Sequence, residues 1–129
     1  MRFLNEELNV HLRDEAVDLF PLLARRCTDN DAIEGAIDRI RADQNEVMRL
    51  LPEVRAMLAG CLDSGAGLTE EPRAVLSRFA GHVRQHLVLE NAILLPSARA
   101  RLTRADLADL VETHANAAWA ARTCGDTRC

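Results

Sequence analysis

The segments His11-Leu12-Arg13-Asp14-Glu15-Ala16-Val17-Asp18-Leu19-Phe20-Pro21 and His86-Leu87-Val88-Leu89-Glu90-Asn91-Ala92-Ile93-Leu94-Leu95-Pro96 match one another without a gap. Both read H-L-x-x-E-x-x-x-L-[F/L]-P, and two copies of that pattern in so short a chain are hard to assign to chance. A histidine and a glutamate four residues apart are neighbours on one helix face, with Cβ atoms about 5–6 Å apart. An imidazole nitrogen and a carboxylate oxygen so placed can converge on one divalent ion at about 2.0–2.2 Å each. Two such helices side by side present two His/Glu pairs to a shared interior, which is how helical bundles build dinuclear metal sites. His82 lies one turn before His86, so His82, His86 and Glu90 form a stripe, and the matching stripe on the first helix is Glu7, His11 and Glu15.

A surface ion pair is the competing reading of any single HxxxE. The flanking residues weigh against it, because Leu8, Leu12 and Leu19, and Leu87 and Leu94, fall on the apolar stripes beside the pairs. A buried glutamate is costly without a partner such as a metal. The candidate metal ligands are therefore His11, Glu15, His82, His86 and Glu90. Glu7 reads as part of a solvated face, and His114 as structural or surface.

Outward from the repeat the chain is helical throughout. Leu4, Leu8, Val10, Leu12, Leu19, Leu22 and Leu23 recur at three to four residues and predict a first helix from Phe3 to Arg26. Thr28-Asp29-Asn30-Asp31 is a break with N-cap residues ready for the next helix. The second helix runs through Ile33, Ile37, Ile40, Val47, Leu50, Leu51, Val54, Met57 and Leu58, with Pro52 expected to bend it. Cys61 to Leu68, with Gly65 and Gly67, reads as a loop. Thr69 caps a third helix whose apolar positions Val75, Leu76, Phe79, Val83, Leu87, Ala92 and Leu95 carry it to Ser97 or Arg101. A last helix starts at Thr103 and includes Leu107, Leu110, Val111 and Trp119. No alternating strand pattern occurs, so the fold class is all-α, an antiparallel helical bundle over residues 1–122 with a flexible tail at 123–129.

Composition narrows the function. The 129 residues carry a net charge of -4 and only 3% aromatics, which excludes a basic nucleic-acid surface and an aromatic stacking platform. No apolar run reaches membrane-spanning length. The N-terminus is charged too early for a secretory leader, so the expected setting is cytoplasmic. The four cysteines show no CxxC spacing and read as free thiols. The sequence has no Ser-His-Asp set, no GxGxxG and no P-loop, and the Glu-x-x-His spacing of ferritin-type di-iron enzymes is absent, so binding is favoured over catalysis.

HLRDEAVDLFPLLARRC and QHLVLENAILLPSARARLT resemble the second and fourth helices of hemerythrin-like (HHE cation-binding) domains, and the resemblance extends from about Phe3 to Leu110. It implies a four-helix bundle around a non-haem di-iron centre. His11, Glu15, His86 and Glu90 would be ligands there, with the two glutamates as bridges. Two departures accompany it. The family's first helix, with its own histidine, has no counterpart before Phe3. Either the chain starts late, another subunit supplies the helix, or the C-terminal helix replaces it. Gln44 also stands where the family's third helix has a histidine, next to Asp43 and with Glu46 on a different face.

The resemblance implies one or two iron ions, with zinc or manganese as substitutes, and binding or sensing of oxygen, nitric oxide or iron, in a monomer or a homodimer. The alternative is a metal-free bundle that serves as an interaction or dimerisation module.

Overall fold

The computed structural model describes residues 1–29 and 32–113. Helix α1 spans residues 3–26, with α-helical Leu8–Asp14 and Phe20–Arg26 separated and preceded by the wider π-turns Phe3–Glu7 and Glu15–Leu19. Helix α2 is Ile33–Ser64. Helix α3 spans 70–101, as Glu70–Leu89, a π-turn Glu90–Leu94, and Leu95–Arg101. Helix α4 begins at residue 104 and is helical to 113. No strand occurs among the described residues, and the chain is the all-α bundle its periodicity implies. Trp119, His114, the boundary at 122 and the tail lie outside the described residues.

Successive helices run antiparallel. The Arg55 guanidinium on α2 donates to the carbonyls of Leu4 and Asn5 at the start of α1, whereas the start of α2 packs Ile33 and Ile37 against Phe20 and Leu23 near the end of α1. The core divides into two apolar clusters. One joins Leu8 and Leu12 to Val47, Leu50, Leu51, Val54, Val75 and Phe79. The other joins Phe20 and Leu23 to Ile33, Ile37, Ile40 and Leu94. Each fully buried leucine or isoleucine contributes about 1.5–3 kcal/mol of transfer free energy. Between the clusters lies a thin polar layer of Glu15, Gln44 and His86, all buried.

Several expectations are corrected. The second helix does not end at Cys61 but continues one turn, to Ser64. Gly65, at φ 66, takes the left-handed conformation that stops it, and its N–H bonds to the Cys61 carbonyl at 2.9 Å. Pro52, by contrast, lies inside α2 as expected. Ala32, rather than a polar side chain, occupies the N-cap of α2, with φ 50. Val10 and Leu87, expected on buried stripes, are 43% and 44% exposed. Ala92 is exposed too, because the π-turn at Glu90–Leu94 shifts the apolar face and buries Leu94 in its place.

The expected cap at Thr103 forms a reciprocal pair. Asp106 N–H donates to Thr103 Oγ1 at 3.1 Å, and Thr103 N–H donates to Asp106 Oδ2 at 2.9 Å. The same carboxylate accepts both Nε and Nη2 of Arg26, at 3.0 and 2.9 Å, tying α4 to the end of α1. Arg26, with help from Thr103, pulls the Asp106 carboxyl down to about 2. A depressed carboxyl contributes stability that is present above its ordinary value near 4 and is lost as pH falls through about 2. Asp106→Asn is therefore expected to lower the urea midpoint at pH 7. Followed by circular dichroism, the gap from wild type should close as pH falls from about 4 to 2.

Candidate metal centre

The two copies of the repeat explain how the helices deliver their side chains. Proline lacks an N–H, and its ring clashes with the carbonyl four residues earlier. Ahead of Pro21 and Pro96 the backbone widens into a π-turn, with Phe20 N–H bonded to the Glu15 carbonyl and Leu95 N–H to the Glu90 carbonyl. Each π-turn starts at the glutamate of its repeat. One inserted residue lets the His/Glu pair and the leucines after it both face inward on a single rod. In both repeats a proline follows the π-turn, Pro21 in the first and Pro96 in the second.

The pairs meet. The donor atoms of His11, Glu15, His86 and Glu90 all lie within 4.8 Å of one another. His86 Nε2 is 3.0 Å from Glu15 Oε2 and 3.4 Å from Glu90 Oε2. His11 Nε2 is 3.3 Å from Glu15 Oε1 and 3.8 Å from Glu90 Oε2. The two rings stand edge to face, 6.0 Å between centroids. Two donors each about 2.1 Å from a shared ion stand about 3 to 4 Å apart, so these separations suit neighbours around one cation.

A second observation supports the fit. His86 Nε2 and Glu15 Oε1 are buried and have no hydrogen-bond partner, despite the short distances. Buried polar atoms are almost always hydrogen-bonded. Here nitrogens and oxygens point at a common space rather than at one another, as ligand atoms do.

The electrostatics arise from this packing. Burial lowers the His86 pKa, but Glu15 and Glu90 outweigh it and raise the imidazole to about 9. Glu90 chiefly, and Glu15, raise His11 as well. His11 and His86 together hold the Glu90 carboxyl well below the usual carboxylate range.

The remaining predicted residues lie apart from this quartet. His82 Nδ1 meets Asp43 Oδ1 at 2.8 Å, a half-buried pair between α3 and α2. Glu7 is solvated and pairs with Arg2. Glu46 is exposed and held by Arg49. Sequence reasoning misses the part that Gln44 plays. Buried at 6% exposure, it donates Nε2–H to Glu15 Oε2 at 3.0 Å, and its place on the apolar face of α2, between Ile40 and Val47, is the signal that could have found it. An apolar groove of about 370 Å³ opens beside the quartet, lined by Phe3, Leu8, Leu12, Val47, Val83 and Leu87 together with His11 and His86.

A family model described as hemerythrin HHE cation binding domain matches residues 1–98. No curated protein and no solved structure matches the chain.

Glu15→Ala would leave His86 buried with one carboxylate fewer. Breaking a buried pair costs about 3–5 kcal/mol, and because His86 can shed its proton the loss should lie near 3 kcal/mol. The raised His86 pKa contributes stability that is complete below its ordinary 6.5 and fades as pH rises through about 9. Proton NMR titration of the His86 ring in Glu15→Ala is expected to show its pKa dropping back toward 6.5.

Proposed function

The chain belongs to the hemerythrin HHE cation-binding domain family, and from that premise we propose that it binds a transition-metal cation between α1 and α3, with His11, Glu15, His86 and Glu90 as ligands. The observation that carries this reading is the convergence of four donor residues within 4.8 Å of one another, with His86 Nε2 and Glu15 Oε1 buried there without hydrogen-bond partners. Iron is the proposed metal, with zinc or manganese as substitutes, since mixed imidazole and carboxylate donors suit all three. Bound iron would supply redox chemistry and a coordination position open to a small diatomic ligand.

The chain's own residues shape that role. Gln44 fixes the Glu15 carboxylate. The groove residues Leu8, Leu12, Val47 and Val83 wall the site with hydrocarbon and limit water. His11, whose side chain is 47% exposed, stands at the rim and leaves a path inward. His82, held by Asp43, takes a place beside the quartet, one turn along α3. Such a site suits binding or sensing of oxygen, nitric oxide or iron rather than turnover. Its setting is the cytoplasm, which keeps unpatterned cysteines reduced. No helix among the described residues is long and apolar enough to cross a membrane.

A second reading draws on the open face. Phe3 and Leu87, which line the groove, are 53% and 44% exposed. Such a patch is a natural place for a second copy of the chain, and a metal-free bundle could persist as a dimerisation module.

One double variant separates the two. In His11→Ala/His86→Ala, the metal content of protein purified from iron-supplemented cells should fall to background by plasma mass spectrometry. Retained metal in that variant would falsify the ligand assignment. If wild type carries no metal, and the variant keeps its fold and its mass by light scattering, the second reading stands instead.

A further inference from the structure

The number of ions the centre can hold is set by the donors gathered around Glu15. Its Oε2 accepts from Gln44 Nε2 at 3.0 Å and also faces His86 Nε2 at 3.0 Å, inside the protein. The amide nitrogen must face the carboxylate, because the flipped amide would set its carbonyl oxygen against a charged oxygen. Glu15 Oε1, by contrast, is buried with no hydrogen-bond partner.

Two-ion centres place their metals about 3.5–4 Å apart. In helical bundles carboxylates span the two ions, which takes both oxygens of each bridging glutamate and further donors beyond. On the α2 side of Glu15 stands the Gln44 amide, whose hydrogens carry partial positive charge where a second cation would have to sit. On the groove side the wall is Phe3, Leu8, Leu12, Val47, Val83 and Leu87, none of which offers a side-chain donor. The further imidazole on α3, that of His82, pairs through Nδ1 with Asp43 at 2.8 Å and is not among the four converging donors.

We propose that this is a one-ion centre: four donors converge on a single space, and beside Glu15 the Gln44 side chain presents an amide N–H where a second cation would need a ligand. The inference rests on the metal-binding reading above and deepens it. Gln44 is a positioning residue here, and Asp43 and His82 are a clasp between α2 and α3.

Cobalt(II) is a suitable probe, because its visible absorption reports coordination as it is titrated into the full chain. Wild type is expected to reach its endpoint at one equivalent, with native mass spectrometry showing one ion. Gln44→Ala removes the positioning bond without adding a ligand. It should keep the one-equivalent endpoint and bind about 10–100-fold more weakly. Gln44→Glu, nearly the same shape, replaces the donor by a carboxylate and should move the endpoint to two equivalents. Far-UV circular dichroism confirms that each variant is folded. A wild-type endpoint at two, an undiminished affinity in Gln44→Ala, or a Gln44→Glu endpoint that stays at one overturns the proposal. Failure of wild type to take up any cobalt overturns the metal-binding reading beneath it.

Discussion

Glu15 and His86, both ionisable and almost wholly buried, meet 3.0 Å apart in the middle of the bundle. Desolvating two ions costs several kcal/mol each, and their attraction offsets this only with good geometry and further partners. The structure supplies those partners from three helices: His11 on α1, Gln44 on α2 and Glu90 on α3. The polar layer then separates two apolar clusters that would otherwise merge into one core. An apolar replacement of similar volume is often as stable or more so. The layer therefore makes physical sense as a site rather than as a support.

The backbone around it is adapted to the same end. A plain α-helix through either repeat would set a proline ring against the carbonyl four residues earlier. The π-turns at Glu15–Leu19 and Glu90–Leu94 remove that conflict and rotate the next turns of each helix. Phe20, Leu23 and Leu94 thereby reach the second cluster while the glutamates stay inward. Because both repeats carry the same turn at the same place, α1 and α3 approach the site in nearly equivalent ways. The apolar groove results from this pairing: two helices that converge on one layer leave an open seam where no third helix covers them among the described residues.

Much of this is legible from residues alone, and the exceptions have causes. The helix periods mark α1, α2 and α3 correctly, since leucine and isoleucine spacing records which side faces the core. The end of α2 is harder to place because Gly60 and Cys61 look like a loop, whereas the stop needs the left-handed backbone that Gly65 supplies. Ala92 reads as buried because a uniform 3.6-residue period takes no account of the π-turn at Glu90–Leu94, whereas Val10 and Leu87 sit in plain α-helix and turn outward beside the buried Leu12 and His86. Asp106 carries no signal as a single aspartate, since its importance depends on Arg26, 80 residues away.

The sequence by itself determined that the chain is helical, that two His/Glu pairs exist at metal-ligand spacing, and that apolar stripes run beside them. These are local properties, set within a few residues by helix geometry and side-chain chemistry. Only the tertiary structure decided that the pairs face each other, that His82 turns to Asp43 instead, and that Gln44 locks one oxygen of Glu15. Each of those outcomes depends on how whole helices sit against one another, and a difference of an ångström or two between rods, which no spacing within one helix encodes, separates a shared site from two unrelated ion pairs.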